Sequence, residues 1–372
     1  MNRKGLLAIV AVAALGVLAW DLMRSPAPPA VASAAAAGAS PAASAPASAP
    51  AAPTRGPAEV GRAPNLLRPA SVARSASPLA QVHAESPLSL KPLYDRIKGS
   101  PEENTPEGQY YLHKILKACA TVADRRGGAA SRTQRPAQLE ERRQQIAAGL
   151  PEGNPRREQR LAAFDKVATD QCEGLGGLTV TEAELAQYLK NALAGGDPKA
   201  RAWQVEQEMW QERRAASTPG RAGTTLTDAQ AATLREAFSS RDAEAIAIAG
   251  RVLANSFRDV TVRIGPEQEP IENRAFMNAA TLLACEYGYP CGENNPRVLS
   301  ACAFQGHCGV ASLPDYLFYY GASPYDAQLL DRYRTVLRQA VDTGDWSGLV
   351  IDRGTRSPNL PSYPYAGHPG AR

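Results

Sequence analysis

Four of the chain's six cysteines lie between Cys285 and Cys308, and they repeat one pattern. Cys285 and Cys291, then Cys302 and Cys308, are each separated by five residues, and each second cysteine precedes a glycine. Cys285 ends the apolar run NAATLLAC, and Gly288 is suited to a helix C-terminal cap. Asn295-Pro296 opens the next helix, whose last turn carries Cys302. Paired cysteines of a zinc site are usually two to four residues apart, so this spacing argues against metal. Disulfides that staple two turns fit better, and they require an oxidising compartment. The end of one helix adjoins the start of the next but lies far from that second helix's own end. Cys285 is therefore expected to join Cys291, and Cys302 to join Cys308. Crossed pairing, such as Cys291 with Cys302, is the alternative among the fifteen arrangements that six cysteines allow. Cys119 and Cys172, on two early helices, are left to join each other. Each bond would stabilise the fold by about 2–4 kcal/mol.

The N-terminal sequence supplies such a compartment. Arg3 and Lys4 precede an apolar run from Gly5 to Trp20, closed by Asp21. A short basic head before an apolar stretch is an export signal, and the positive head stays in the cytoplasm. Residues 1–24 are read as an uncleaved signal anchor that inserts through residues 5–23. The alternative is a cleaved signal and a secreted product, with Val17-Leu18-Ala19 as a small-residue site. The expected location is the bacterial inner membrane, single-pass, with the folded part in the periplasm. Residues 25–82 are mostly Ala, Pro and Ser and cannot bury enough apolar surface to offset their ordering entropy. They are expected to form a disordered tether of about 40 Å average span.

The remaining chain is punctuated as helices. Thr105-Pro106 opens GQYYLHKILKACATV, whose Tyr111, Leu112, Ile115, Leu116, Cys119 and Val122 recur three or four apart. Thr181 with Glu184, and Thr227 with Gln230, form capping boxes. Asp197-Pro198 opens a helix on which Trp203 and Trp210 lie two turns apart, placed to share a face. Asp242, Asn273 or Arg274, Ser312 and Ser323-Pro324 open further helices. Only DVTVRIGP, at 259–266, resembles a strand, and it is expected to stand alone. The breaker-rich stretch 215–225 marks a linker between a helical subdomain at 83–214 and a Cys-rich helical subdomain at 226–350. Residues 351–372 read as a flexible tail. The expected fold is all-α, an irregular, repeat-like array of antiparallel helix pairs, disulfide-stapled behind the anchor.

DAEAIAIAGRVLA, at 242–254, carries Ala243, Ala245, Gly250 and Leu253 at the small and large positions of a Sel1-type repeat. NALAGGDPKA is similar to the junction between two such repeats. The chain thus resembles Sel1-like and tetratricopeptide-type helical-repeat proteins of the bacterial cell envelope. That resemblance implies helical-repeat packing with a protein-binding groove.

Candidate functional residues are few. The net charge of +4 is mild, and a basic stretch between Arg125 and Arg160 lacks the interleaved aromatics of single-strand nucleic-acid binders. No nucleic-acid partner, metal or cofactor is expected. No nucleotide loop, zinc-protease helix or serine elbow is present. His307 sits in a turn with no second histidine or paired acid adjoining it, and His113 on a helix face reads as structural. Glu286 lies at a helix end, where the dipole raises a carboxylate's energy. It is the acid an alternative reading would use, that of an enzyme acting on peptidoglycan. The region 316–333 is tyrosine-rich, and one helix face cannot bury all of it. Tyr316, Tyr319, Tyr320 and Tyr325, with Tyr287 and Tyr289, form the candidate binding surface. The leading reading is an envelope scaffold or accessory protein that docks a protein partner, with cell-wall glycan as a further ligand class.

Overall fold

The computed structural model describes residues 77–123, 135–215 and 224–353. The expected anchor (1–24), the tether as far as residue 76 and the tail beyond residue 353 lie outside the described residues. No described helix is long and apolar enough to cross a membrane.

Helices dominate: α1 Pro78–Glu85, α2 Lys91–Ile97, α3 Pro106–Cys119, α4 Arg135–Ala148, α5 Pro155–Ala168, α6 Glu182–Ala194 and α7 Pro198–Ala215. Then come α8 Asp228–Ser239, α9 Ala243–Leu253, α10 Asn273–Glu286, α11 Pro296–Ser300, α12 Leu313–Tyr316 and α13 Pro324–Thr343. The capping residues explain where many of them start. Thr105 accepts a hydrogen bond from the Gly108 amide with Pro106 at the first position. Both reciprocal capping boxes form at α6 and α8, and Ser323 with Asp326 makes a third at α13. Helix α10 is capped instead by Glu272, whose carboxylate accepts from the amides of Arg274 and Ala275. The sequence places that cap one or two residues later, because glutamate is a rarer cap than asparagine.

Helix α1 begins inside the stretch read as tether and runs past its expected end at residue 82. Ser77 caps it, Pro78 occupies its first position and Leu79 is buried. Three local signals were diluted there by the surrounding alanine, proline and serine. The strand expectation also changes. The strand β3, Val260–Ile264, pairs antiparallel with β4, Glu269–Pro270, and with β5, Leu349–Arg353. Ile264 faces Leu349 and Val260 faces Arg353 in the second pairing. Its main partner is remote in sequence and includes residues assigned to the tail, so no local pattern announces it. Two-residue strands β1, Thr121–Val122, and β2, Thr179–Val180, pair in parallel. The fold is therefore mostly helical with two small sheets, where all-α was expected.

The largest core crosses the 215–225 stretch. Ala202, Val205 and Met209 of α7 pack with Leu234, Phe238, Ile246 and Phe276 beyond it. A second core gathers Leu79, Leu93, Ile97, Tyr111 and Ile115, and Trp203 touches both. Trp203 stacks edge-on with His113 at 4.9 Å, whereas Trp210 is exposed beside Arg213. A third cluster joins Ile146 and Phe164 of α4 and α5 to Leu299, Cys302 and Ala303. The basic residues of those two helices serve that packing: Arg160 donates to the Ala303 carbonyl, Arg157 to that of Ala147, and Arg143 pairs with Asp165. Gly250 lets α9 approach α10, since a Cβ added there would lie 2.2 Å from the Ala280 Cβ. The cysteines pair as Cys119–Cys172, Cys285–Cys291 and Cys302–Cys308.

Candidate functional site

A cavity of about 330 Å³ opens where α1, α3, α7 and α9 converge beside the turn 287–290. The Cys285–Cys291 bond closes that turn. Two of the helices present their N-termini, each capped by an aspartate: Asp197 accepts from the Ala200 amide and Asp242 from the Ala245 amide. Both capping carboxylates reach the same cation. Lys199 Nζ lies 2.9 Å from Asp242 Oδ2, 3.1 Å from Glu107 Oε1 and 3.3 Å from Asp197 Oδ2. Its side chain is only 3% exposed. Burial opposes the charge on Lys199, but Asp242, Asp197 and Glu107 outweigh it and raise the lysine pKa. Burial pushes the Asp197 carboxyl up to about 6, against the pull of Lys199 and with the Asp242 charge adding to the rise.

A second charged group lies alongside. Lys114 Nζ donates to Glu244 Oε1 at 2.6 Å, and the Tyr110 hydroxyl donates to the same oxygen at 2.9 Å. Burial disfavours the Glu244 charge, but Lys114, His83 and these hydrogen bonds hold the carboxyl down to about 2. His83 Nε2 lies 3.3 Å from Lys114 Nζ. An ammonium group only donates, so Nε2 accepts and the neutral ring carries its proton on Nδ1. Burial, then the Lys114 charge, lower the imidazole pKa to about 4, so His83 is neutral near pH 7. Two atoms of this group are buried without a partner among the described residues: His83 Nδ1 and Glu244 Oε2.

The six candidate tyrosines separate into two places. Tyr287 and Tyr289 line the cavity; the other four do not. Tyr287 donates to Asp342 Oδ1 at 3.2 Å, and burial with that carboxylate raises its phenol to about 12. Two π-helical turns lie here, Ala301–Gln305 and Leu317–Gly321: Tyr316 precedes the second, Tyr319 and Tyr320 lie within it, and Tyr325 is in the first turn of α13. The turns are tied together: Tyr316 Oη donates to Gln305 Oε1 at 3.2 Å, and His307 stacks on Tyr320 with centroids 4.3 Å apart. Tyr319 is 61% exposed, Tyr320 52%, Tyr325 67% and Phe304 44%. Tyr316 is half-buried.

Glu286 faces α13, where Oε1 receives Arg338 and lies 3.6 Å from Arg334. It does not line the cavity. His113 is buried, with Nδ1 2.9 Å from the Leu185 carbonyl. Among the described residues no group of three His, Cys, Asp or Glu side chains is arranged to hold a metal ion. The sequence names Asp197 and Asp242 only as helix caps, and it gives no sign of Lys199, Glu107, His83 or Glu244. The one usable signal is a lysine immediately after a capping Asp-Pro. Comparison with family models, with curated proteins and with solved structures finds no match to this chain.

Proposed function

We propose that the chain is a non-enzymatic docking protein of the bacterial envelope, a disulfide-stapled helical module that engages a protein partner through its aromatic patch. One observation carries the reading. Of the large apolar side chains exposed among the described residues, all but Trp210 lie between Phe304 and Tyr325. They sit around two π-turns, local distortions that recur at functional positions in helices. Exposed tyrosines of this kind combine apolar area with a polar tip and few rotatable bonds, which suits them to interfaces. The Cys302–Cys308 bond supports the patch by fixing the turn that holds His307 against Tyr320. Three disulfides agree with an oxidising compartment. The basic head and apolar run at the N-terminus support placement outside the cytoplasm. The pairing of Glu286 with two arginines favours a structural part for that acid, joining α10 to α13, over the peptidoglycan enzyme.

The test is cross-linking of the full chain in its own envelope, followed by identification of what co-purifies. A discrete protein recovered with wild type and lost with Tyr319→Ala/Tyr320→Ala supports the reading. Equal recovery with that variant, or recovery of glycan strands alone, refutes it.

A further inference from the structure

The cavity beside the turn 287–290 has features that packing alone does not require. Its size, about 330 Å³, is at the small end of ligand pockets. Four carboxylates contribute to its lining: Glu107, Asp197, Asp242 and Glu244. Three cations offset all but one of them: Lys199 is enclosed by Glu107, Asp197 and Asp242, Lys114 pairs with Glu244, and Arg241 lines the cavity while donating to the carbonyls of Val341 and Asp342. His83, in the same lining, is uncharged near pH 7.

An acidic lining could simply be a solvated surface. What separates this one from that case is Glu244. Its Oε1 takes both hydrogen bonds given to the carboxylate, from Lys114 and Tyr110, and its Oε2 is buried with none. A buried carboxylate oxygen without a donor weakens the fold, the more so when charged. The Nδ1–H of His83 is likewise a buried donor with no acceptor among the described residues. Both residues line the cavity, and Tyr111, Tyr287 and Tyr289 contribute aromatic surface to the same lining.

We propose that this cavity binds an organic cation, a primary ammonium or guanidinium group on a short apolar stem, with its N–H groups donating to Glu244 Oε2 and its stem against the tyrosines. His83 Nδ1–H then donates to a carbonyl or hydroxyl oxygen adjacent to the cationic group. The chemistry excludes the other classes in turn. An anion would meet four carboxylates. A metal ion would compete with Lys199 Nζ, which already occupies the point where Glu107, Asp197 and Asp242 converge. A neutral polyol satisfies the hydrogen bonds but leaves the one excess negative charge unanswered, and charge-assisted bonds are the stronger kind. Aromatic faces attract cations in addition.

The experiment is calorimetric titration of the purified full chain at pH 7.5 with L-argininamide and with L-lysinamide, alongside glutarate and glucose. Saturable binding is expected for the two cations, weakening as salt is raised, and none for glutarate or glucose. Glu244→Gln is expected to weaken cation binding at least about tenfold, the loss of one charge-assisted bond. That variant disturbs Lys114 as well, so Ala80→Phe serves as a second. Ala80 lines the cavity from α1, and a phenyl group there takes up part of it while leaving the charges in place. Loss of cation binding in Ala80→Phe, with an unchanged melting temperature, supports the site. Absence of binding by either cation up to about 10 mM overturns it, a limit of very weak affinity. So does equal binding of glucose or glutarate, or cation binding that survives both substitutions.

Discussion

Replacing Lys199 by methionine tests the charge cluster most directly. Methionine keeps most of the volume and the unbranched stem, so little of the effect is cavity formation. It removes the cation that Asp197, Asp242 and Glu107 share, with the Lys199 side chain only 3% exposed and that of Asp197 likewise 3%. Removing one member of a buried ion pair costs about 3–5 kcal/mol, because the partner is left uncompensated. The expected loss at pH 7 lies in that range, measured by urea denaturation with unchanged slope. The pH dependence carries the sign. Asp197 has its folded pKa raised from 3.8 to about 6, so its contribution is most favourable below 3.8 and worsens as pH rises through 6. Without Lys199 that penalty grows, and the gap between wild type and variant narrows as pH falls below 6. The lysine's own contribution is full below 10.5, so it does not titrate in this window. A loss under about 1 kcal/mol, the value for exposed pairs, would refute the reasoning. A loss of full size that is the same at pH 7 and pH 4.5 would show that packing, not charge, was removed.

Further outcomes follow from other positions. His83 has its pKa lowered from 6.5 to about 4, so its contribution is complete above 6.5 and is lost as pH falls through 4. Relative to His83→Gln, wild type should lose about 3 kcal/mol across that interval, and a parallel pair of stability–pH curves would contradict this. Gly250→Val should destabilise by about 1–3 kcal/mol, because α9 cannot withdraw from Ala280 without opening the main core, and thermal melting checks it. Serine at both Cys119 and Cys172, 53 residues apart, should cost about 4 kcal/mol by chain entropy. The same change at Cys302 and Cys308, 6 apart, should cost about 2 kcal/mol, so the order of the two melting temperatures is the test.

The parts of the fold legible in the sequence are those with local causes. Capping residues and prolines place α3, α6, α8, α9 and α13, because a helix start is decided within four residues. The two short disulfides are legible for the same reason: each closes one turn. Pairing of β3 with β5 is not, since its partner strand lies over eighty residues on. Glu272 was missed as a cap, and α1 was missed because composition outweighed a single Ser-Pro-Leu signal. The tyrosines show the limit for the site. Their chemistry was visible, but only the tertiary fold sends Tyr287 and Tyr289 to a cavity and Tyr319, Tyr320 and Tyr325 to the outer surface.

Lys199 illustrates why that cavity could not be read in advance. Its partners are a carboxylate two residues before it, one 43 residues after and one 92 residues earlier. Buried ion clusters of this kind contribute little net stability but penalise wrong packing, because any misplaced helix strands a charge. Such a role fits Lys199, whose position ties α3, α7 and the start of α9 into one arrangement. It accounts for a cluster in which the ammonium group finds its carboxylates. It does not account for Glu244 Oε2 and His83 Nδ1, a buried acceptor and a buried donor left without partners among the described residues, on two side chains of the same cavity lining. A packing device has no use for an unmet carboxylate oxygen, which weakens the fold it is meant to specify. A binding site does, because the missing donor arrives with the ligand, and the energy withheld from folding becomes affinity.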